Sequence, residues 1–170
     1  MTTTAMTMRT VDVSSVVAEV LQDEQSDLFY FMSTADPYIN RAAADLRRPL
    51  QDMIDRGTRQ AGELVAVLEN LGGISRPVRP SPEFQYFAYL AVDFLLPKLY
   101  EAKRRSIERY QRALRLIPES ETDVRGLLES HLAQHLRDME TLSTHVAHAT
   151  SSGRAGSQTP SPAHDPSKSR

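Results

Sequence analysis

The sequence predicts an all-α fold: four amphipathic helices packed as a bundle, with one long crossover connection and disordered termini. Three observations predict it. Four segments repeat apolar residues at spacings of three and four, the period of one helix face. Asp36-Pro37, Gly72-Gly73 and Pro118 punctuate those segments. Between the second and third lies Gly72 to Pro80, with two Gly and two Pro, which cannot be helical. Extended, such a stretch reaches roughly 30 Å, the length of a 20-residue helix, so it can cross the bundle and reverse the next helix.

The first helix is expected from about Val13 to Ala35. Val13, Val17, Val20, Glu24, Leu28, Phe31 and Ala35 form its inward row, Ser14 and Ser15 are candidate N-caps, and Asp36-Pro37 stops it. The second is marked by Leu46, Leu50, Met53, Gly57, Gln60, Leu64, Val67 and Leu71, and Gly72-Gly73 supplies a C-terminal glycine signal. Pro49 means either a kink or a helix that begins there, because proline suits a first turn. The third covers about Pro82 to Ile117, divided at Pro97, with Leu96, Leu99, Lys103, Ile107, Tyr110, Leu114 and Ile117 inward. The fourth runs from about Glu121 to Ala147 on the row Val124, Leu128, His131, His135, Asp138, Leu142 and Val146.

Composition bounds the rest. A chain of 170 residues fits one domain, placed at 13–148, between disordered segments 1–12 and 149–170. The last segment is rich in Ser, Pro, Gly and Thr and has no large apolar side chain to offset its ordering entropy. The absence of Cys excludes thiolate sites, disulfides and cysteine nucleophiles. No secretory leader is expected, since Met1 to Thr10 has a single Arg and no apolar run, and no membrane span, since Phe84 to Leu96 is interrupted by Gln85 and Asp93; a cytoplasmic protein follows. Net charge is −2; Arg154, Lys168 and Arg170 against Asp165 leave the tail at +2 and the remainder at −4. That balance gives no push toward nucleic acid. The basic run Lys103 to Arg105 continues to Arg115, but Glu101-Arg105 and Glu108-Arg112 make it a solvated, self-paired face.

The informative residues are the polar ones on the inward rows: Glu24, the weaker pair Gly57 and Gln60, Lys103, and His131, His135 and Asp138. Polar groups gathered at one level of a helical bundle are how carboxylate metal sites are built. His131 and His135, four apart, share a face, and with Glu24 or Asp138 they offer a two-His, one-carboxylate set for one Fe, Mn or Zn ion. The other reading is a pair of hydrogen-bonded histidines in a helical interface. Lys103 either snorkels outward with Arg104 and Arg105 or turns inward, where it must be paired, with Glu24 and Asp138 the natural partners.

On these rows the chain resembles the ferritin-like superfamily, its bacterioferritin and rubrerythrin branch in particular. VAEVLQDEQSDLFYFM (17–32) is similar to the family's opening helix, with Glu24 at its first metal-binding glutamate. AGELVAVLENLGG (61–73), LYEAKRRSIERYQRAL (99–114) and LLESHLAQHLRDMETL (127–142) are similar to the helices that follow. The resemblance implies a four-helix bundle with a long second connection, helix-to-helix dimers and a di-iron site of two Glu and two Glu-x-x-His. The chain departs from that ligand set. It has Gly57-x-x-Gln60, or Arg56-x-x-Arg59 one residue earlier, in the second helix, Lys103 in the third, and His135-x-x-Asp138, the types reversed, in the fourth.

The functional expectation is therefore a binding or interaction module that has lost di-iron chemistry and carries no cofactor. Its central network would be Glu24, Gln60, Lys103, His135 and Asp138. The alternative is an iron-handling protein or oxidoreductase with a mononuclear Fe or Mn site on Glu24, His131, His135 and Asp138. Phe29, Tyr30, Phe84, Tyr86, Phe87, Tyr89 and Phe94 exceed what one helix face can bury, so they are expected to cover a second copy, in a homodimer or larger homo-oligomer, or to cap the bundle as a short fifth helix. No phosphate loop or nucleophile motif occurs, and no catalytic residue is assigned.

Overall fold

The computed structural model describes residues 12–33, 41–78 and 92–155. Among these the chain is all helical, with no strand. Its helices are α1 (Val13–Gln25), α2 (Leu28–Met32), α3 (Arg47–Asn70), α4 (Val92–Leu116) and α5 (Thr122–Ala155), with a 3₁₀ turn, Arg41–Leu46, leading into α3.

The first expected helix is two. Asp12 caps α1, its carboxylate taking the Ser14 N–H and the Ser14 and Ser15 hydroxyls, so the serines serve the cap rather than form it. The row then breaks at Ser26-Asp27, where the Asp27 carboxylate accepts the Phe29 N–H at 2.9 Å and starts α2. An Asp that can bond the backbone two residues on competes with helix continuation, and the period of three and four runs through the break unchanged. The predicted stop at Asp36-Pro37 lies outside the described residues.

Pro49 sits in the first turn of α3, where its missing N–H has no partner to lose. At the other end Gly72 takes a positive φ of 73°, Gly72 N–H reaches the Glu69 carbonyl and Gly73 N–H the Leu68 carbonyl. This is the Schellman pairing that only a residue free of a Cβ adopts cheaply, as the double glycine predicted. Pro97 does not divide the third helix; α4 passes through it. The proline ring faces solvent, where water can serve the carbonyl left without a donor. α5 continues to Ala155, past the boundary drawn at 148 from composition, because adding residues to an existing helix costs little once it is nucleated. The aromatic cluster before Pro97 falls outside the described residues apart from Phe94, which is 72% exposed.

α1 packs on α3 and α4, α2 on the same two helices, and α4 lies along α5, with α3 also reaching α5. Among the described residues the inward rows are buried or half-buried, and they form two apolar cores. One gathers Leu28, Phe29, Met32, Leu50, Met53, Leu95, Leu99 and Leu142. The other gathers Val17, Val20, Leu21, Leu64, Leu68, Ala113, Ile117, Val124 and Leu128. Each fully buried aliphatic side chain contributes about 1.5–3 kcal/mol. Between the two cores, where the rows turn polar, Glu24, Asp27, Gln60, Lys103, Ser106, His131, His135 and Asp138 are all buried.

On the outer face of α4 the ion pairs form through Arg104, which bridges Glu101 at 2.9 Å and Glu108 at 2.7 Å, rather than through Arg105 and Arg112. Arg104 has acids at both i−3 and i+4, so one guanidinium serves two carboxylates. No helix of the described residues is long and apolar enough to cross a membrane.

Candidate functional site

The polar layer is built around Lys103. Its side chain turns inward, 2% exposed, and its ammonium lies 3.1 Å from His135 Nδ1, 3.3 Å from Asp138 Oδ2 and 4.2 Å over the ring of Phe29. An ammonium has no acceptor, so His135 Nδ1 must accept and the ring proton sits on Nε2. That nitrogen lies 3.2 Å from Glu24 Oε1. The pair is close enough for charge attraction, yet Nε2 is fully buried without an aligned hydrogen bond. Glu24 thus reaches Lys103 through His135 rather than directly.

Asp138 is held from a second side. Arg56, from α3, places Nη2 2.7 Å from Asp138 Oδ1, and Gln134, one turn earlier on α5, donates to the same oxygen at 2.9 Å. The Arg56 side chain is 27% exposed and forms one wet edge of the layer. Two carboxylates, Glu24 and Asp138, are therefore set against two cations, Lys103 and Arg56, with His135 between them.

His131 belongs to a second arm. Its Nδ1 is 3.2 Å from the Tyr110 hydroxyl and its Nε2 2.6 Å from Glu63 Oε2. The Tyr110 hydroxyl also faces Glu24, and the Tyr110 ring packs against both histidines at 5.8 and 5.0 Å. The arms meet there, giving a continuous chain from Arg56 through Asp138, Lys103, His135, Glu24, Tyr110 and His131 to Glu63. Gln60 is buried, but no hydrogen bond joins it to this chain among the described residues.

The electrostatics follow from burial and pairing. Burial pushes the Glu24 carboxyl up, but His135, Lys103 and His131 more than offset it, and the group titrates below the ordinary glutamate range. Asp27 goes the other way: burial and the Glu24 charge raise it, against the Phe29 N–H, Lys103 and Arg109. Burial lowers His131 and Glu63 offsets only part of that, so the ring is neutral near pH 7. Burial, then the Glu24 and Glu63 charges, drive the Tyr110 phenol strongly upward.

Of the four residues expected to share a metal, Glu24 and His135 face each other, Asp138 is taken by Lys103 and Arg56, and His131 by Glu63 and Tyr110. Among the described residues no three His, Asp or Glu side chains form a group able to hold a metal ion. Sequence reasoning missed Glu63 and named Arg56 only as the register alternative to Gly57; both lie beside the α3 row and reach in by their length. It also took Tyr110 for plain core. The signal was present: Arg56 and Glu63 are seven apart, so they share a helix face. No protein-family model matches this chain, and neither a curated protein nor a solved structure does.

Proposed function

We propose that the chain is a ferritin-like four-helix bundle, α1 and α2 together forming its first member, that works as a binding or interaction module rather than as an iron oxidase. The observation that supports this is Lys103. Its ammonium lies between His135 Nδ1 and Asp138 Oδ2, where the carboxylate-rich relatives implied by the resemblance would place a cation. With Arg56 it sets two cations against the carboxylates of Glu24 and Asp138 without a metal. A protonated amine in that position repels a cation and satisfies its ligands. In this reading the buried network fixes how α3, α4 and α5 meet, the role for which buried polar groups are best attested, and function resides on the outer surface, including helix faces that pair with a second copy in the cytoplasm.

One observation favours a second reading. Buried Nε2 of His135 lacks an aligned partner beside Glu24, and these two could begin a mononuclear Fe or Mn site if Lys103 released Asp138. Metal analysis separates the two. Protein produced with added iron or manganese and washed with chelator is expected to retain well under one transition-metal ion per chain. Near-stoichiometric metal surviving the wash overturns the metal-free reading.

A further inference from the structure

The ion pair between α4 and α5 has a nucleophile, an electrophile and the groups that would connect them. Lys103 Nζ lies 3.3 Å from Asp138 Oδ2. On its other side His135 Nδ1, at 3.1 Å, is placed to take a proton, and Glu24, 3.2 Å from Nε2, orients the ring and would stabilise it once charged. Carboxylate, imidazole and nucleophile in that order is the arrangement that activates a weak nucleophile. Arg56 Nη2, 2.7 Å from Asp138 Oδ1, is aimed at the oxygen that would carry negative charge after attack on Cγ. Phe29 covers the ammonium, and the two reacting side chains are 2% and 3% exposed.

We propose that Lys103 and Asp138 condense to an isopeptide bond that ties α4 covalently to α5. The ammonium passes one proton to Asp138 Oδ2, and the freed amine attacks Cγ of the now neutral acid. His135 takes a second proton from the nitrogen and returns it to Oδ2, which leaves as water. One C–N bond forms and one C–O bond breaks. Oδ1 remains as the amide oxygen against Arg56, and nothing is oxidised or reduced.

Bulk water favours the separated ammonium and carboxylate, but here both charges are held out of water, which raises their free energy and not that of a neutral amide. Condensation removes one positive and one negative charge, leaving Glu24 and Arg56 in balance. Fixing the reacting groups in contact replaces a bimolecular encounter with an intramolecular one, which is where much of the barrier to such reactions lies.

Intact-mass measurement of the purified full chain tests this without any variant. The expected mass is lower than that of the unmodified sequence by one water molecule, and a proteolytic digest should yield a branched peptide joining the segments that contain Lys103 and Asp138. Lys103→Arg keeps the positive charge but cannot form the amide, so it should show the unmodified mass while circular dichroism reports a helical fold. His135→Asn should lower the fraction of linked chain. A wild-type chain that keeps its full mass after prolonged incubation overturns the proposal. So does a water loss that persists in Lys103→Arg.

Discussion

Lys103 is the residue on which the centre turns. It contacts Asp138 directly and Glu24 through His135, acts on Asp27 by charge, and has the ring of Phe29 beneath it. Measured against the unlinked chain, Lys103→Met keeps the length and apolar stem but removes the charge, leaving the Glu24 and Asp138 carboxylates with only Arg56, at the wet edge, as paired cation. Breaking a buried pair from one side costs about 3–5 kcal/mol, and the loss should appear as a lower denaturation midpoint with an unchanged slope. A change within about half a kcal/mol, the range of ordinary surface substitutions, would mean that the ammonium contributes nothing to the fold. At this scale the sequence was only partly legible. Glu24, Lys103, His135 and Asp138 stood out because they interrupt apolar rows. Arg56 and Glu63 did not, because each sits one position off the row and reads as solvated until its reach is known.

At the scale of elements, periodicity carried nearly everything. The described members of each inward row are buried or half-buried, and Gly72-Gly73 closes α3 as its chemistry requires. What periodicity could not reveal was competition inside a row: Asp27 diverts the backbone, and neither the break nor its absence alters the spacing of apolar side chains. Two glycines, one inside α3 and one just past its end, test this level. A methyl at Gly57 would meet the Phe29 Cβ at 4.0 Å, an ordinary contact, on a helical backbone. Gly57→Ala should therefore stabilise by up to about 1 kcal/mol, the helix-propensity difference. Gly72→Ala should do the reverse, by about 1–2 kcal/mol, because φ is positive there and open space cannot relieve backbone strain. Thermal unfolding of the two variants should shift the midpoint in opposite directions.

For the molecule as a whole, the buried titratable groups predict acid lability in two stages. His131 is depressed below its ordinary 6.5, so its neutral form belongs to the fold. Stability is complete above that pH and is lost as the pH falls from it toward the folded value. Glu24 is depressed below 4.5, so its contribution is present above that value and lost as the pH falls through its folded one. Asp27, raised above 3.8, opposes them, adding stability at low pH that disappears as it ionises. Stability measured against pH should therefore decline first below about 6.5, and His131→Gln should flatten that limb while leaving the Glu24 limb at lower pH; an unchanged upper limb would remove His131 from the account.

The chain of polar contacts begins at Arg56 and ends at Glu63, and both belong to α3, two turns apart. α1, α4 and α5 supply everything between. α3 therefore acts as a clasp across the layer: it neutralises Asp138 at one edge and anchors His131 at the other, while Gly57 and Gln60 between these points make no charged contact. If α3 lifts away, both edges open together, and a buried carboxylate and a buried imidazole lose their counterparts in one event. The release of this helix is thus cooperative by construction, and local opening of the molecule should begin elsewhere.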